Sequence, residues 1–375
     1  MKIIITVNTY YPLTDGVQFV TQYHAEGLVK LGHEVTVVTV QHDGLADTEL
    51  HNGVKIIRYN IQTKHAVHVG EKGGYRNLIT SLCTNADVLL NVSTQTATTE
   101  VLFPILKKIN IKKILYMHGM HDFSWRYGDL FYFVHKVWNN IRWGWDYLVN
   151  AKYFKMYDSV IQLHELDEAT LFFKKKYNID SLIIENAAED SFFESSSYTG
   201  ADYLLNVSNF DSRKNQEMLL ESFYKIKNHR IGLILVGSKK NKYSTHLKKL
   251  KNNFDTKYGK RDVNILDAVP RDKIVKLVQQ SKIYVMGSKW EAFPISIIEA
   301  MAAGKPFVST DTGVIRFLPG GVTVKGVDEM VYWINTFLDN PQLASKYGMA
   351  GQCYARNNFM ITRKVEQLND IIGAK

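Results

Sequence analysis

Residues 290–306 read W-E-A-F-P-I-S-I-I-E-A-M-A-A-G-K-P, and two carboxylates in this stretch, Glu291 and Glu299, stand eight residues apart. The stretch predicts a loop leading into a helix, with Glu291 at the helix N-terminus and Glu299 about two turns further on. Both carboxylates then face one cleft, and between them lie the first helix amides, which have no partners inside the helix and form an anion site. This arrangement suits a ligand with hydroxyl groups and phosphate, such as a nucleotide sugar.

A purely structural role for both carboxylates is the alternative. The helix dipole alone favours Glu at a helix start, and a mid-helix Glu commonly faces solvent. The helix nevertheless has an apolar stripe made of Ile297, Ile298, Met301 and Ala302. Gly304 and Pro306 predict its end, and residues 307–310 predict a strand beyond it. A packed helix next to a strand therefore favours a functional carboxylate pair.

This segment resembles the E-x7-E signature of the family 4 (group 1) retaining glycosyltransferases, and the resemblance continues through A-M-A-A-G-K-P-F-V-S-T. The residue after the first Glu is Ala292, where the family usually has Gly or Ser. The resemblance implies an α/β chain with the GT-B fold: two doubly wound Rossmann-like domains that face a cleft, and a C-terminal helix that crosses back to the first domain.

The composition fits two α/β domains. The chain has 375 residues, of which 45% are hydrophobic and 22% charged. Its two cysteines, Cys83 and Cys353, cannot form a disulfide framework, so a reducing compartment is expected. The apolar start is too short for a signal peptide, and no apolar run reaches transmembrane length. We therefore expect a cytoplasmic protein.

The net charge of +9 is concentrated in one region. Residues 213–282 contain 18 Lys and Arg but 6 Asp and Glu. Such basicity suggests phosphate-bearing ligands, anionic lipid or nucleic acid. A solvated surface is the favoured interpretation for five of the lysines, Lys239, Lys240, Lys248, Lys249 and Lys251. No zinc-finger or RNP signature is present, so no nucleic-acid partner is expected.

Strand and helix patterns alternate along the chain, which predicts parallel sheets built from βαβ units. Strands are predicted at 3–7, 35–39, 55–59, 87–91, 114–118 and 159–164, and then at 204–208, 231–236, 263–266, 283–286 and 307–310. Helices are predicted at 17–31, 98–109, 327–338, 341–357 and 361–372. The polar stretch 190–200 predicts the boundary, giving an acceptor-side domain at 1–190, a nucleotide-sugar domain at 191–360 and a returning helix at 361–375. No G-x-G-x-x-G occurs, which argues against a nicotinamide or flavin enzyme.

Two residues of the first domain match family positions. Gly16 lies in the loop after the first strand, where the family usually has two glycines; here Asp15 replaces the first. His118 follows a predicted central strand, and the resemblance implies that it lies beside the transferred sugar. His121 is a weaker candidate.

In the second domain, Lys214 aligns with a family Lys that binds the diphosphate, and Asn209 stands where the family has Arg. Arg213 can supply the missing charge, because guanidinium binds phosphate oxygens in bidentate fashion, although a solvated loop position is equally compatible with the sequence. Asn186 resembles a family turn weakly. The turn of Ala292, Phe293 and Pro294 completes the predicted donor site. No D-x-D occurs, so neither a metal nor another cofactor is implied.

Residues 123–157 contain 13 aromatic residues, interleaved with Lys136, Arg142, Lys152 and Lys155. A helical core or cleft wall is one interpretation, because aromatic side chains bury well. An acceptor surface, or an interfacial helix against anionic lipid, is the other.

The resemblance implies a retaining transfer from a nucleoside-diphosphate sugar, with UDP expected, to a saccharide or lipid-linked saccharide acceptor. Glu299 would bind the ribose, Glu291 a hydroxyl of the transferred sugar, and Lys214 the leaving diphosphate, while His118 orients the sugar. The context expected is synthesis of surface polysaccharide or lipopolysaccharide at the inner face of the membrane. The alternatives are another GT-B enzyme, such as an epimerase or a phosphorylase, and a non-catalytic sugar-nucleotide binder.

Overall fold

The computed structural model describes residues 1–125, 133–194 and 201–374. These residues form two compact units, Met1–Glu185 with Lys364–Lys375, and Asn186–Arg363. The first unit thus ends a few residues before the predicted boundary at 190, and the second ends shortly after 360. Part of the predicted linker, residues 195–200, lies outside the described residues.

In the first unit, the described strands form an eight-stranded sheet in the order β10-β9-β8-β7-β1-β2-β4-β3. All neighbours pair in parallel except β3 and β4. The alternation of strands and helices in the sequence therefore predicted the sheet type correctly. The strands are β1 (Lys2–Thr6), β2 (Glu34–Val40), β3 (Thr48–His51), β4 (Val54–Tyr59), β7 (Val88–Val92), β8 (Lys112–Tyr116), β9 (Ser159–Gln162) and β10 (Leu182–Ile183), and β5 (Ile61–Lys64) and β6 (Val67–Gly70) form a separate hairpin.

The helices of the first unit show one correction to the sequence prediction. The expected helix 98–109 is divided into α3 (Ala97–Glu100) and a 3-10 helix, Phe103–Lys108, because Pro104 lacks the amide that a continuous α-helix needs. The remaining helices are α1 (Gly16–Lys30), α2 (Lys72–Cys83), α4 (Phe133–Val149), α5 (Ala151–Phe154), α6 (Glu168–Tyr177) and α13 (Ile361–Gly373).

Helix α13 comes last in the chain but packs on the first unit, as the GT-B fold predicts. Lys112 Nζ donates to the backbone oxygens of Ile371 and Ala374. Near the start of the helix, the buried Lys364 ammonium lies 3.3 Å from the Glu185 carboxylate. Val365 packs directly over Gly27, where a Cβ would overlap its side chain.

In the second unit, the described strands form a six-stranded parallel sheet in the order β13-β12-β11-β14-β15-β16. The first five agree with the predicted strands, and the edge strand β16 was not predicted. The strands are β11 (Tyr203–Val207), β12 (Gly232–Gly237), β13 (Val263–Asp267), β14 (Ile283–Met286), β15 (Phe307–Thr310) and β16 (Gly321–Val324). The helices are α7 (Gln216–Lys225), α8 (Lys242–Tyr258), α9 (Arg271–Gln280), α10 (Ile295–Ala302), α11 (Val327–Asp339) and α12 (Pro341–Asn358).

Two surface properties bear on ligands. Lys239, Lys240, Lys248 and Lys249 are exposed, in agreement with a solvated surface, whereas Lys251 is partly buried and is paired with Asp255 at 2.6 Å. None of the helices in the described ranges combines the length and the hydropathy that crossing a bilayer requires.

Candidate functional site

The N-terminus of α10 lies at the carboxyl end of the parallel sheet of the second unit, where ligands bind in such sheets. The helix begins at Ile295, and its N-cap residue, Pro294, makes no side-chain cap hydrogen bond. The prediction that Glu291 lies at the helix start was therefore slightly wrong: Glu291 lies in the loop before it. Proline disfavours helical backbone in the residue before it, which delays the helix beyond Phe293.

The loop that carries Glu291 is held by its neighbours on the sheet. Val314 N donates to Ala292 O at 3.3 Å, and Thr310 Oγ1 donates to Ser288 O at 2.6 Å. Gly313 has a positive φ of 54°, and a Cβ there would overlap the backbone oxygens of Glu291 and Ala292. Close backbone approach therefore fixes the position of Glu291 and requires glycine at 313.

Glu291 is paired with Lys214. The Lys214 ammonium donates to Glu291 Oε1 at 2.5 Å, and both side chains are largely buried, with 16% and 10% of their surface exposed. Lys214 is aimed by the turn after β11, in which Asp211 Oδ1 accepts from the amides of Arg213 and Lys214. Lys289 N donates to Arg213 O at 2.7 Å and ties this turn to the Glu291 loop. The structure thus brings together two predicted site residues that are distant in sequence.

The two other predicted basic-site positions lie at the surface of the same turn. Arg213 is exposed, and its guanidinium lies 5.7 Å from the centre of the Trp290 ring. Asn209 is exposed too, and its backbone oxygen accepts from Gln216 Nε2 at 2.9 Å. Both side chains are accessible to a ligand at this edge of the sheet.

Glu299 is 3% exposed, on the inner side of α10, and is paired with Arg271 at the start of α9. Arg271 also donates through Nε to Glu189 Oε1 at 2.7 Å, and its guanidinium lies 4.9 Å from the centre of the Phe192 ring. Burial raises the pKa of the Glu299 carboxyl, and the Arg271 charge opposes that rise. The sequence analysis missed Arg271; the signal was its position just after a parallel strand, in D-A-V-P-R.

Tyr284 is buried near the start of α10 and senses the charges of both carboxylates. Its hydroxyl donates to Val207 O at 3.0 Å and accepts from Val207 N at 3.1 Å, and it also interacts with Ser296 in the first turn of α10. Burial raises the pKa of the Tyr284 hydroxyl, and the charges of Glu299 and Glu291 both raise it further. Both carboxylates are therefore close enough to the start of α10 to act on the same buried group.

Asn186 supports the turn before α10. Its Nδ2 donates to Phe293 O at 2.8 Å, and the Phe293 ring packs edge-on against Phe359. Asn186 Oδ1 is buried and has no hydrogen-bond partner among the described residues. Its structural role at the Phe293-Pro294 turn is thus clear.

The other two predicted site residues belong to the first unit. Gly16 is the first residue of α1, and Asp15 caps this helix by accepting from Gln18 N at 2.7 Å. The Asp15 that replaces a family glycine therefore has a structural reason to be there.

His118 lies two residues beyond the end of β8, because this strand begins and ends two residues earlier than the predicted strand 114–118. Its ring stacks on Tyr116 with 4.7 Å between ring centres, and Nε2 is buried without a hydrogen-bond partner among the described residues. Burial lowers the pKa of His118 to about 3, so its imidazole is neutral at physiological pH. His121 Nε2 instead lies 2.8 Å from Asn140 Oδ1.

Within residues 1–125, 133–194 and 201–374, no three His, Cys, Asp or Glu side chains are grouped as metal ligands would be. The metal-free donor site stays a prediction. Lys214 and the uncapped start of α10 are the groups that could face a diphosphate.

Two family models match the chain. The model described as Glycosyltransferase Family 4 matches residues 14–162, and the model described as Glycosyl transferases group 1 matches residues 187–352. Among curated proteins, the trehalose synthase of Pyrococcus horikoshii is 26% identical over 181 residues, which cover 45% of this chain and 43% of that protein. An uncharacterized 42.6 kDa protein in the cps region of Klebsiella pneumoniae is 48% identical over 59 residues, which cover 15% of this chain and 16% of that protein. These matches span less than half the length of either curated relative.

Solved structures resemble the chain over nearly its whole length. Sucrose-phosphate synthase from Thermosynechococcus elongatus has a TM-score of 0.77 at 15% identity, covering 99% of this chain and 98% of that one. A glycosyltransferase from Rickettsia africae has a TM-score of 0.74 at 18% identity, with 99% and 97% coverage. Anabaena Alr3699/HepE in complex with UDP and glucose has a TM-score of 0.70 at 15% identity, with 99% of both chains covered. The fold is therefore shared along both units, and together with the two family models it shows that this chain belongs to the group 1, family 4 glycosyltransferases of the GT-B fold.

Proposed function

We propose that the protein transfers a sugar from UDP-sugar to a saccharide acceptor with retention of the anomeric configuration. The observation that carries the proposal is the buried Lys214–Glu291 pair at 2.5 Å beside the uncapped start of α10. An ammonium and free helix amides at one place favour binding of a diphosphate. The paired carboxylate gives the same place an acceptor for sugar hydroxyl groups.

Each residue has a distinct part in this reaction. Lys214 and the amides of the turn at Ala292 and Phe293 stabilise the charge that grows on the departing diphosphate, so they act most strongly in the transition state. Glu291 accepts a hydrogen bond from the transferred sugar. His118, as a neutral imidazole, orients the sugar by a hydrogen bond and leaves general-base work to another group.

Glu299 is the proposed ligand of the ribose hydroxyls, because an ionised carboxylate accepts two hydrogen bonds from a diol. Its burial opposes ionisation, and the Arg271 guanidinium offsets this effect. Arg271 is thus a positioning residue: it holds the Glu299 carboxylate charged and oriented.

Retention of the anomeric configuration follows if the acceptor attacks the sugar from the face on which the diphosphate leaves. In this step, the acceptor oxygen forms a bond to the anomeric carbon while the bond from that carbon to the diphosphate oxygen breaks. The acceptor proton passes to the departing phosphate. No covalent intermediate on the protein is needed.

Two findings on similar proteins support UDP and a polysaccharide context. Anabaena Alr3699/HepE was crystallised with UDP-glucose, and the similar trehalose-phosphate synthase from Burkholderia xenovorans is described as UDP-forming. The Klebsiella relative is named for the cps region. We infer that the acceptor is a growing surface saccharide, carried on lipid, and that the protein works as a peripheral protein at the cytoplasmic face of the membrane.

A nucleotide panel tests the donor assignment. Thermal shifts are measured with UDP, GDP, ADP, TDP and CMP on the wild type, on Glu299→Gln and on the control Glu366→Gln, whose carboxylate is exposed on α13. We expect UDP alone to stabilise the wild type and the control, and the shift to disappear in Glu299→Gln. A UDP shift of equal size in Glu299→Gln contradicts the ribose assignment.

The reaction class is tested with the UDP-sugar that the panel supports. Transfer to saccharide acceptors, with UDP release that depends on the acceptor, supports the transferase. Turnover without any acceptor indicates an epimerase, and dependence on inorganic phosphate indicates a phosphorylase. Binding without any turnover would instead leave the protein as a sugar-nucleotide binder.

A further inference from the structure

Helix α4 presents an apolar face to solvent. Seven of its residues are exposed large hydrophobic residues, between 44% and 80% exposed: Phe133, Val134, Trp138, Ile141, Trp145, Leu148 and Val149. Within α4, which the structure describes completely, His135 is the only other exposed residue. Five of the seven follow the spacing 134, 138, 141, 145 and 148, which places them on one side of a helix.

The opposite side of α4 is anchored in the first unit. Trp143 and Tyr147 are buried, and Tyr147 O accepts from Tyr177 Oη at 2.7 Å. The acidic residue of the helix, Asp146, is also turned inward and is paired with Arg142 at 3.0 Å. The apolar face is therefore held outward by well-packed partners on the other side.

Seven exposed large hydrophobic residues on one 17-residue helix are more than a lone soluble protein usually gathers in one place. A typical monomer exposes a largest apolar patch of roughly 300–600 Å², and larger patches mark interaction sites. Each half-exposed aromatic ring contributes on the order of 100 Å². Trp125, which is 50% exposed and has its ring 5.5 Å from that of Phe133, lies beside the face and enlarges it.

We propose that the α4 face inserts into the surface of a lipid bilayer and holds the protein there by apolar contact. Tryptophan is enriched at the depth of lipid headgroups, and Trp125, Trp138 and Trp145 are exposed beside aliphatic side chains that suit the acyl region. A helix lying in the plane of the membrane buries its apolar face by about 5–10 Å.

The charge around α4 complements an anionic membrane. Residues 133–157 contain Lys136, Arg142, Lys152 and Lys155 against the single acidic residue Asp146. Lys152 and Lys155 are exposed just beyond the end of the helix. Attraction between these cations and an anionic surface is weakened by salt. Insertion of the apolar face does not depend on charge, so salt does not weaken it.

A second copy of the chain fits this face less well than lipid does. The 4-3-4-3 spacing could form a helix pair, but α4 has 17 residues, which is fewer than the three or four heptads of a stable coiled coil. The positions that flank the seam include His135, Val137 and Gly144, and they offer no pairs of opposite charge to set a register.

This inference rests on the proposed function only for its biological reason, namely access to a lipid-linked acceptor. Its vesicle-binding test uses no nucleotide. The full chain is floated with vesicles of phosphatidylcholine, alone or mixed with phosphatidylglycerol, at low and at high salt. We expect binding to both, stronger with phosphatidylglycerol at low salt, and a part of the binding that high salt does not remove.

The variant that tests the face is Ile141→Asp with Trp145→Ser, because both residues are exposed and their replacement leaves the core intact. The matched control is Tyr332→Ser with Met349→Asp, at 64% and 62% exposure in the second unit. We expect vesicle partitioning to fall on the order of tenfold in the α4 variant and to be unchanged in the control. Unchanged UDP thermal shifts in both variants separate this result from the donor site.

Three outcomes overturn the proposal. The first is absence of binding to either vesicle. The second is binding that needs phosphatidylglycerol, disappears at high salt and is equal in the α4 variant, because it then comes from a basic surface elsewhere. The third is a dimer, measured by sedimentation velocity without lipid, that the α4 variant abolishes, because a second copy then covers the face.

Discussion

Two regions of the molecule differ in how many of their side chains have partners. One is the start of α10 in the second unit, and the other is the end of β8 together with helix α4 in the first unit. Around α10, the charged groups are already paired: Glu291 with Lys214, and Glu299 with Arg271. In the first unit, His118 Nε2 is buried without a partner among the described residues, and α4 exposes an apolar face.

This difference shows which part of the proposed reaction is preorganised by the protein itself. Paired charges hold their geometry before a ligand arrives, and this is the condition under which electrostatic stabilisation costs little reorganisation. The buried His118 Nε2 atom has no partner among the described residues, and α4 exposes an apolar face; we propose that partners from outside the chain satisfy both. In the proposed reaction, the donor site is thus preorganised by paired charges, and we expect substrate and membrane to complete the acceptor site.

The strongest test of the preorganised half is Lys214→Met. Loss of the ammonium removes charge stabilisation from the diphosphate and leaves the Glu291 carboxylate buried without its cation. We expect kcat/KM for the donor sugar to fall by roughly 100- to 1,000-fold, the effect of removing one preorganised donor. Initial rates with the donor from the nucleotide panel measure it.

Lys225→Met is the control for this substitution, because Lys225 forms a half-exposed i,i+4 pair with Glu221 in the same unit, and such pairs contribute little. A fall of less than about tenfold in Lys214→Met, with a normal thermal unfolding midpoint, would remove Lys214 from the catalytic machinery.

Arg271→Gln tests the second charged pair. The substitution leaves Glu299 buried without a cation, so the pKa of this carboxyl rises further and its ionised fraction at neutral pH falls. We expect UDP affinity to fall on the order of tenfold at pH 7 and to recover partly at higher pH, where Glu299 ionises again. Titration calorimetry with UDP at two pH values measures both effects.

The pH dependence distinguishes Arg271 as a positioning residue from a direct phosphate ligand. A direct ligand would lose affinity equally at both pH values. Arg230→Gln, at an exposed position in the loop before β12, serves as the control and should leave UDP affinity unchanged.

His118→Gln tests whether burial of the His118 imidazole makes the stability of the protein depend on pH. The pKa of His118 is about 3 in the folded state and about 6.5 when unfolded, so the unfolded chain binds the extra proton between these values. Above pH 6.5 the imidazole is neutral in both states and costs the folded state nothing. As the pH falls from 6.5 towards 3, protonation of His118 in the unfolded chain lowers the free energy of unfolding. We expect the wild type to lose up to about 1.4 kcal/mol more per pH unit than the variant in this window.

Urea denaturation at pH 7 and pH 5 on the wild type, His118→Gln and the exposed control His229→Gln checks this sign. Equal acid sensitivity of wild type and His118→Gln would show that the imidazole is solvated and titrates normally.

The smallest expected effect is a gain, from Asn209→Arg. Asn209 is exposed on the turn that aims Lys214, at the position where the family has Arg. A new cation there should strengthen UDP binding about two- to fivefold, the size of an exposed charge interaction, and less at high salt. Asn253→Arg on the exposed side of α8 is the control, and equal gains in both variants would indicate general attraction instead of a donor contact.

The sequence by itself determined the elements whose signals are local. Strand patterns of period two and apolar runs marked the five predicted strands of the second unit, and Gly304 and Pro306 marked the end of α10. The motif from Glu291 to Glu299 predicted the candidate donor region, because helix periodicity relates residues that are close in the chain.

Tertiary structure decided the pairings between distant residues and the orientation of each face. Lys214 meets Glu291, and Arg271 meets Glu299, because parallel strands bring their carboxyl ends to one edge of the sheet whatever their separation in sequence. The aromatic stretch was compatible with a core helix or an exposed one; residues 126–132 of it lie outside the described residues. Because Trp143 and Tyr147 are buried, the other face of α4 is exposed. Which face of a helix is buried depends on the neighbours that the rest of the chain places beside it.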